Sequence, residues 1–383
     1  MESNKNSNES SKIFHWGSKE EQMKINSIRY NQDYRLIIVS TSKGYRIFST
    51  SNFKLLSEEN YDILNFGDIH IADLYYSSQL VFLLPSKFNK DYKNNEIIIY
   101  DDYFQNKKGN FKLKNESINN FFISKDIMFI ITLKNIIIVE LCCLKIIDII
   151  EDIAYNDKII SINSFNYLAY SKQSDRKTIY INYFKSDNHR IISKYQKKII
   201  TNFDFIQIMN FSPLGDKIAA ISIYGNKIHI YDSISGKLKY CIFLGPKIQS
   251  IEKLYFSEKK PNYLLFVRND KYFSIYKLGK AKEKEQVPKC ICNMDNDKDL
   301  LIRLNEIDKK NAGQSKPKTY SKNKNIREPH TFSDYDERLL FSDFDRNTHK
   351  DLVFINKNGK LFKYHFNKKK NGKMSPFISV QWF

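Results

Sequence analysis

The sequence predicts an all-β chain, a seven-bladed β-propeller of WD-repeat type with a long disordered insertion in blade six. Three observations carry that prediction. Isoleucine, valine, tyrosine and phenylalanine fill the apolar positions while alanine is scarce, a bias toward pleated strands over helices. A short phrase recurs along the chain as GYRIFST, NEIIIYDD, KNIIIVEL, KTIYINYF, NKIHIYDS, KYFSIYKL and KLFKYHFN. Between Gly279 and about Arg327 that pattern stops and a tract rich in Lys, Asn and Asp replaces it.

The period assigns the phrases to blades. With Phe48, Tyr100, Val139, Asn182, Tyr231, Tyr276 and Tyr364 as equivalent positions, the first five spacings run from 39 to 52 residues and the last is 88. A four-stranded blade takes about 40–45 residues, so the long spacing holds one blade plus an insertion. A second apolar strand precedes most phrases, as in YRLIIVSTS, SQLVFLLPS, DIMFIITL, FNYLAYS, DKIAAIS and NYLLFVRN, which fits the inner strands of a blade. In IHIYDSISGKLKYCIFLGPK, Ile228 to Lys247, two strands flank a Ser-Gly turn and end in the apolar knot Phe243, Leu244, Gly245 and Pro246.

The expected organisation is a flexible tail with a possible ring-closing strand over 1–23, blades one to six over 24–278, a low-complexity basic loop over 279–326, and the end of blade six with the closing blade over 327–383. The loop composition buries too little apolar surface to order itself. Trp16 and Trp382 lie near opposite ends of the chain and suit termini that meet in one shared blade.

Composition narrows the function classes. A formal net charge of +19 favours an anionic partner, nucleic acid or an acidic membrane surface, although an A+T-rich gene would raise Lys, Asn, Ile and Tyr together. The basic residues are spread over all the phrases instead of gathering with stacking aromatics into one stripe, which disfavours nucleic acid. Cys142, Cys143, Cys241, Cys290 and Cys292 form an odd set without a CxxC pair, so neither a disulfide framework nor a zinc ribbon is indicated, no metal is assigned, and a reducing compartment fits. The start MESNKNSNESSK lacks an apolar signal core. The apolar stretch from Ile127 is broken by Lys134, Glu140 and Lys145 before it reaches the length of a membrane span.

No catalytic motif is present. The seven histidines fall on different phrases, and the carboxylates of SDYDERLLFSDFDR suit turn chemistry. Asp295, Asp297, Asp299 and Glu306 have the spacing of a calcium loop, but Leu300 occupies the position that needs glycine. No enzyme and no cofactor is expected.

Once the blades are assigned, NQDYRLIIVSTSKGYRIFS, GDIHIADLYYSSQLVFLLPS, NDKIISINSFNYLAYS, NFSPLGDKIAAISIYGNKIHIYDSISGKL and IREPHTFSDYDERLLFSDFD, in that order, resemble successive blades of the PROPPIN family. These are WD-type propellers that bind phosphoinositides and act in autophagy. The resemblance runs from about Lys24 over almost the entire chain. It implies two phosphate pockets served by a Phe/Leu-Arg-Arg-Gly motif, in which guanidinium forks give bidentate, permanently charged contacts. Here the motif falls on Ile242, Phe243, Leu244 and Gly245, and both arginines are gone.

Other family pocket positions fall on Asn202, Asn226 and the RNDKYF segment, with Ser222, Gly225 and Gly245 retained. The headgroup candidates are Ser222, Lys227, Lys239, Lys247 and Arg268. In the insertion, Leu300, Leu301, Ile302 and Leu304 form a small apolar wedge amid lysines, suited to an anionic interface. The resemblance implies a monomeric, cytoplasmic, peripherally membrane-associated scaffold at preautophagosomal or endosomal membranes. Its expected partners are phosphoinositide or anionic membrane and autophagy or membrane-traffic proteins, among them a large lipid-transfer protein. The alternatives are a protein-protein scaffold that has lost lipid binding and a nucleic-acid-associated basic propeller.

Overall fold

The computed structural model describes residues 23–57, 67–154, 157–244, 251–257, 263–268, 273–278, 289–293, 339–344, 351–356, 360–366 and 374–381. Trp16, Gly245, Lys247, Leu300, Leu301, Ile302, Leu304, Trp382 and the calcium-loop carboxylates lie outside them. Among the described residues there are 27 strands and one short 3-10 turn, and no helix is long and apolar enough to cross a membrane.

The strands form seven antiparallel sheets, each built from consecutive segments. The first contains β1 (Ile25–Tyr30), β2 (Leu36–Thr41) and β3 (Gly44–Ser49). Next come β4 (Ile69–Leu74), β5 (Leu80–Pro85), β6 (Glu96–Asp101) and β7 (Asn106–Lys112). The third has β8 (Asn120–Ile123), β9 (Ile127–Ile131), β10 (Ile136–Glu140) and β11 (Lys145–Ile150). The fourth has β12 (Ser161–Ile162), β13 (Tyr167–Tyr170), β14 (Thr178–Asp187) and β15 (Arg190–Ile200).

The fifth runs β16 (Ile206–Phe211), β17 (Lys217–Ser222), β18 (Lys227–Asp232), β19 (Leu238–Phe243). The sixth runs β20 (Ile251–Phe256), β21 (Tyr263–Arg268), β22 (Phe273–Lys277), β23 (Lys289–Asn293). The last runs β24 (Leu339–Phe344), β25 (Asp351–Asn356), β26 (Lys360–Phe366), β27 (Met374–Gln381).

Each recurring phrase supplies the third strand of one sheet, and each preceding apolar run supplies the second. The burial pattern explains why these two strands were legible. β9 and β10 are buried at every position and β5 and β17 at all but their first, because neighbouring sheets cover both faces, whereas the fourth strands β7, β11 and β19 have mostly exposed or half-exposed side chains. Strands covered on both sides read as continuous apolar runs. The lysines of the outer strands lie at the circumference.

First strands stand beside first strands, β1 by β4, β4 by β8, β12 by β16, β16 by β20 and β20 by β24, as around a propeller axis. Apolar clusters join neighbouring sheets: Phe82, Leu84 and Ile97 meet Phe121, Met128 and Val139, and Ile179 and Ile181 meet Met209 and Ile218. Ile25, Ile37, Val39 and Phe48 of the first sheet pack with Val353 and Ile355 of the last. That cluster brings the two ends of the described chain together.

Polar ties reinforce the ring. Arg29 on β1 pairs with Asp73 on β4 at 3.5 Å and donates to the Phe121 carbonyl and Asn120 Oδ1 on β8. Burial pushes the Asp73 carboxyl up to about 6, against the lowering effect of Arg29. The NQD turn has a similar role: Asn31 Nδ2 donates to the Tyr76 carbonyl at 2.7 Å, and Ser77 Oγ donates to Asp33 Oδ2 at 2.7 Å.

One expectation is met in part and another needs correction. Six sheets have the complete four-stranded form, but beside β3 there is only an isolated bridge, Phe48 to Leu55. A tight turn with Phe53 at φ 56° brings the chain back, Ser49 N–H donates to Lys54 O and Leu56 N–H to Ile47 O, and among the described residues the pairing extends no further. Seven complete blades are therefore not reached among the described residues. In addition, β23 lies inside the 279–326 segment expected to be loop and completes the sixth sheet through Ser274–Asn293 and Ile275–Cys292 pairing. Its short, alternating KCICN pattern is too brief to stand out from polar flanks.

Candidate functional site

The fifth and sixth sheets have matching ends. Ser222, the last residue of β17, lies opposite Ile206, the first of β16, and Arg268, the last of β21, lies opposite Ile251, the first of β20. Arg268 is thus the counterpart of Ser222 one sheet further on. Each pairing is followed by a register shift, and such bulges re-aim the chain at a sheet's rim.

The turn after Ser222 closes with Gly225 N–H donating to Ser222 O at 2.9 Å. Gly225 adopts φ 60°, a conformation that glycine tolerates without side-chain strain. Lys227 then lies opposite Phe243, and Leu244 N–H donates to Asn226 O at 2.9 Å. Ser222, Lys227, Phe243 and Leu244 are therefore gathered at one end of the sheet. Phe243 is 58% exposed, and Leu244 packs partly against Ile242, Ile251 and Leu254. The knot after Cys241 divides its work: one residue anchors the exit of the fifth sheet and the other faces solvent.

Lys239 stands elsewhere. It occupies the start of β19 and pairs with Asp232 at 3.5 Å, at the opposite end of the sheet. Four residues of strand separate it from Phe243, about 13 Å. Ser222, Lys227 and Arg268 share an end, Lys239 does not, and Lys247 and Gly245 are outside the described residues.

Several residues at this rim have no signal in the sequence motif. Ile223, Tyr224 and Phe205 are about half exposed, and Ile223 N–H donates to Phe205 O at 3.0 Å. The Arg176 guanidinium lies 5.9 Å from the Phe205 ring centre, a cation–π arrangement, and Ile206 N–H donates to Arg176 O. Apolar Ile-Tyr in a strand connection, where polar residues are the rule, was the one hint. Beneath the rim His229 is buried, stacked on Phe203 at 4.4 Å, with Nδ1 3.1 Å from Tyr231 Oη. Burial, and then the Lys227 charge, push its pKa below the usual value.

Elsewhere Asp126, Ser186 and His189 meet. His189 Nδ1 is 2.7 Å from Asp126 Oδ1, and Ser186 Oγ and Asn166 Nδ2 donate to Asp126 Oδ2. The carboxylate stands between serine and imidazole, so the serine proton is directed to Asp126 and not to the imidazole, unlike a serine activated by histidine. These bonds instead latch the tip of the long β14–β15 hairpin to the neighbouring sheet. Glu140, Cys142 and Cys143 also converge, with ligand atoms within 4.8 Å of one another.

Consecutive antiparallel sheets packed face to face about a common axis define the class as a β-propeller. Kluyveromyces lactis Hsv2 has the same fold, with TM-score 0.68 and 14% identity over 94% of this chain and 99% of that one. KlAtg21, solved with the coiled coil of AgAtg16, matches with TM-score 0.63 and 14% identity over 94% of this chain and 100% of its own. Autophagy-related protein 18 of Emericella nidulans is 39% identical over 64 residues, which span 17% of this chain and 14% of that relative. No protein-family model matches the chain. The PROPPIN resemblance read from the sequence is borne out, by fold over nearly the whole chain and by sequence over one segment.

Proposed function

We propose that this chain is a non-enzymatic PROPPIN-like scaffold recruited to phosphoinositide-bearing or anionic membranes through the rim of the fifth and sixth sheets, where it brings in autophagy or membrane-traffic proteins. In this reading β1–β3 and the Leu55 bridge count as the seventh, shortened blade. The observation that carries it is the shared end of Ser222, Lys227, Phe243 and Arg268. The headgroup clamp of the family would stand there, and here an exposed aromatic and a lysine stand instead. An apolar side chain with basic neighbours partitions to an anionic interface by insertion plus diffuse charge. Loss of the guanidinium forks removes charge-assisted bonds of about 1.5–3 kcal/mol each, so selectivity for one headgroup is weak.

Partner recruitment rests on analogy with the Atg21 structure, whose bound partner is a coiled coil. Replacement of the arginine pair by Phe243 and Leu244 equally favours a second reading, a protein-binding rim without lipid affinity. Flotation on vesicles containing phosphatidylinositol 3-phosphate, phosphatidylserine or neutral lipid separates the two. Binding to both anionic mixtures supports membrane recruitment, and binding to none supports the protein scaffold. In the same assay the double variant Phe243→Arg/Leu244→Arg gains affinity for the phosphorylated lipid; an absence of gain means that no phosphate pocket lies beneath the motif.

A further inference from the structure

The turn joining β10 to β11 brings two cysteines and a buried carboxylate together on a part of the ring that the membrane reading does not use. Glu140 ends β10 opposite Lys145, and the tight return over Leu141 to Leu144, with Leu144 at φ 53°, turns the vicinal thiols back over it. Cys143 Sγ donates to Glu140 Oε2 at 3.1 Å. The Cys142 and Cys143 sulfurs and a Glu140 oxygen all lie within 4.8 Å of one another. Both cysteines are exposed and free.

Glu140 itself is 8% exposed, and among the described residues no lysine, arginine or histidine forms an ion pair with it. The Arg190 charge on the β14–β15 hairpin acts on it without closing an ion pair. Its other oxygen, Oε1, accepts the Ile191 N–H at 2.7 Å from the β14–β15 hairpin.

We propose that Glu140, Cys142 and Cys143 form a binding site for a thiophilic divalent ion of the zinc class. Zinc takes thiolate at about 2.3 Å and carboxylate at about 2.0–2.2 Å, which sets tetrahedral ligands about 3.5–4 Å apart. The three groups need only a modest closing movement to reach that spacing, and the exposed turn supplies it. Both thiols lose their protons on binding, Glu140 Oε2 exchanges the Cys143 S–H for the metal, and water takes the fourth position. Oε1 keeps its bond to Ile191, so the ion links the β10–β11 turn to the hairpin of the next sheet. Because the ion binds the folded arrangement, metal binding stabilises it.

The test is cobalt titration of the reduced full chain, read by thiolate-to-metal charge-transfer absorption and by thermal unfolding. The C241S/C290S/C292S variant, which retains only the vicinal pair, should keep the absorption band, its loss on zinc addition and the rise in melting temperature. C142S/C143S should lose all of these while unfolding like the native chain without metal. E140Q should bind on the order of tenfold more weakly or worse, as substitutions about a metal site commonly do. A band that survives C142S/C143S, a chain that gives no band, or an E140Q variant with native affinity overturns the proposal.

Discussion

The two ends of the sheets differ in charge although they come from the same repeated unit. Among the described residues, the connections between second and third strands carry Lys43, Lys87, Lys90, Lys93, Lys134, Lys172, Arg176 and Lys177 against Asp91 and Asp175, and the connections to the next sheet at the same end add Lys114 and Lys158 against Asp68, Glu116, Glu151, Asp152 and Asp204. The turns and strand ends on the opposite side carry Asp33, Asp101, Asp102, Asp126, Glu140, Asp187, Asp216 and Asp232 against Arg35, Lys54, Lys125, Lys145, Arg190, Lys217 and Lys237. Their chemistry differs as well. Asp101 Oδ1 accepts the Tyr103 and Phe104 N–H groups, and Asp232 Oδ1 accepts the Ser235 N–H at 2.8 Å.

The Phe104 N–H bond, opposed by desolvation, holds the Asp101 carboxyl below its usual range. For Asp232 burial works upward, and the Ser235 bonds together with Lys239 bring the carboxyl below its usual range. Those carboxylates are spent on turn geometry. The lysines across the sheet have few such duties: Lys43, Lys87, Lys90, Lys93 and Lys134 form no ion pair among the described residues, which leaves their charge available to an external anion. One end is built to hold the chain and the other to meet something.

The largest effect expected from this contrast is structural and falls at the carboxylate end. Gly215 adopts φ 70°, and a Cβ there would strike Asn163 Nδ2 and stand 2.6 Å from Tyr167 Cδ2 in the adjoining sheet. Gly215→Ala should destabilise the chain by about 3–5 kcal/mol through left-handed strain and overpacking, read as a lowered urea midpoint. A midpoint unchanged by the substitution would show that the fourth and fifth sheets do not meet so closely. Next comes Lys87→Gln/Lys93→Gln/Lys177→Gln, which should weaken phosphatidylserine-vesicle binding by about 3 kcal/mol, near 1 kcal/mol per charge. Asp101→Asn/Asp232→Asn, which alters two charges at the other end, should leave vesicle binding unchanged; equal effects per charge at both ends would erase the contrast.

The smallest effect is that of His229. Its folded pKa is depressed, so the unfolded chain binds the proton more readily. The stability tied to the neutral ring is full above the unfolded value and falls as pH drops through it toward the folded one. His229→Gln should flatten the stability difference between about pH 7.5 and about pH 5.5 by roughly 1 kcal/mol or less. Retention of the native slope would assign it to another group.

Repetition made the second and third strands of every sheet readable, since neighbours cover both faces and only apolar, β-branched residues persist there. The rim candidates were readable only in part. Ser222, Lys227 and Arg268 were named and do share an end, whereas Lys239 looked equivalent in sequence yet stands a strand-length away. Phe205, Ile223, Tyr224 and Arg176 escaped notice because Phe205 meets Ile223 only across the β16–β17 pairing and Arg176 only through the packing of the fourth sheet on the fifth.

From its sequence alone, then, the chain determined which segments are the second and third strands of each sheet and in what order the sheets follow, because both follow from local periodicity. Tertiary structure alone decided that basic residues outnumber carboxylates at one end of the sheets and not at the other, that β23 belongs inside the expected insertion, and that two thiols close on a buried glutamate. These depend on turn reversals and sheet-to-sheet packing, which bring together residues that no spacing along the chain connects.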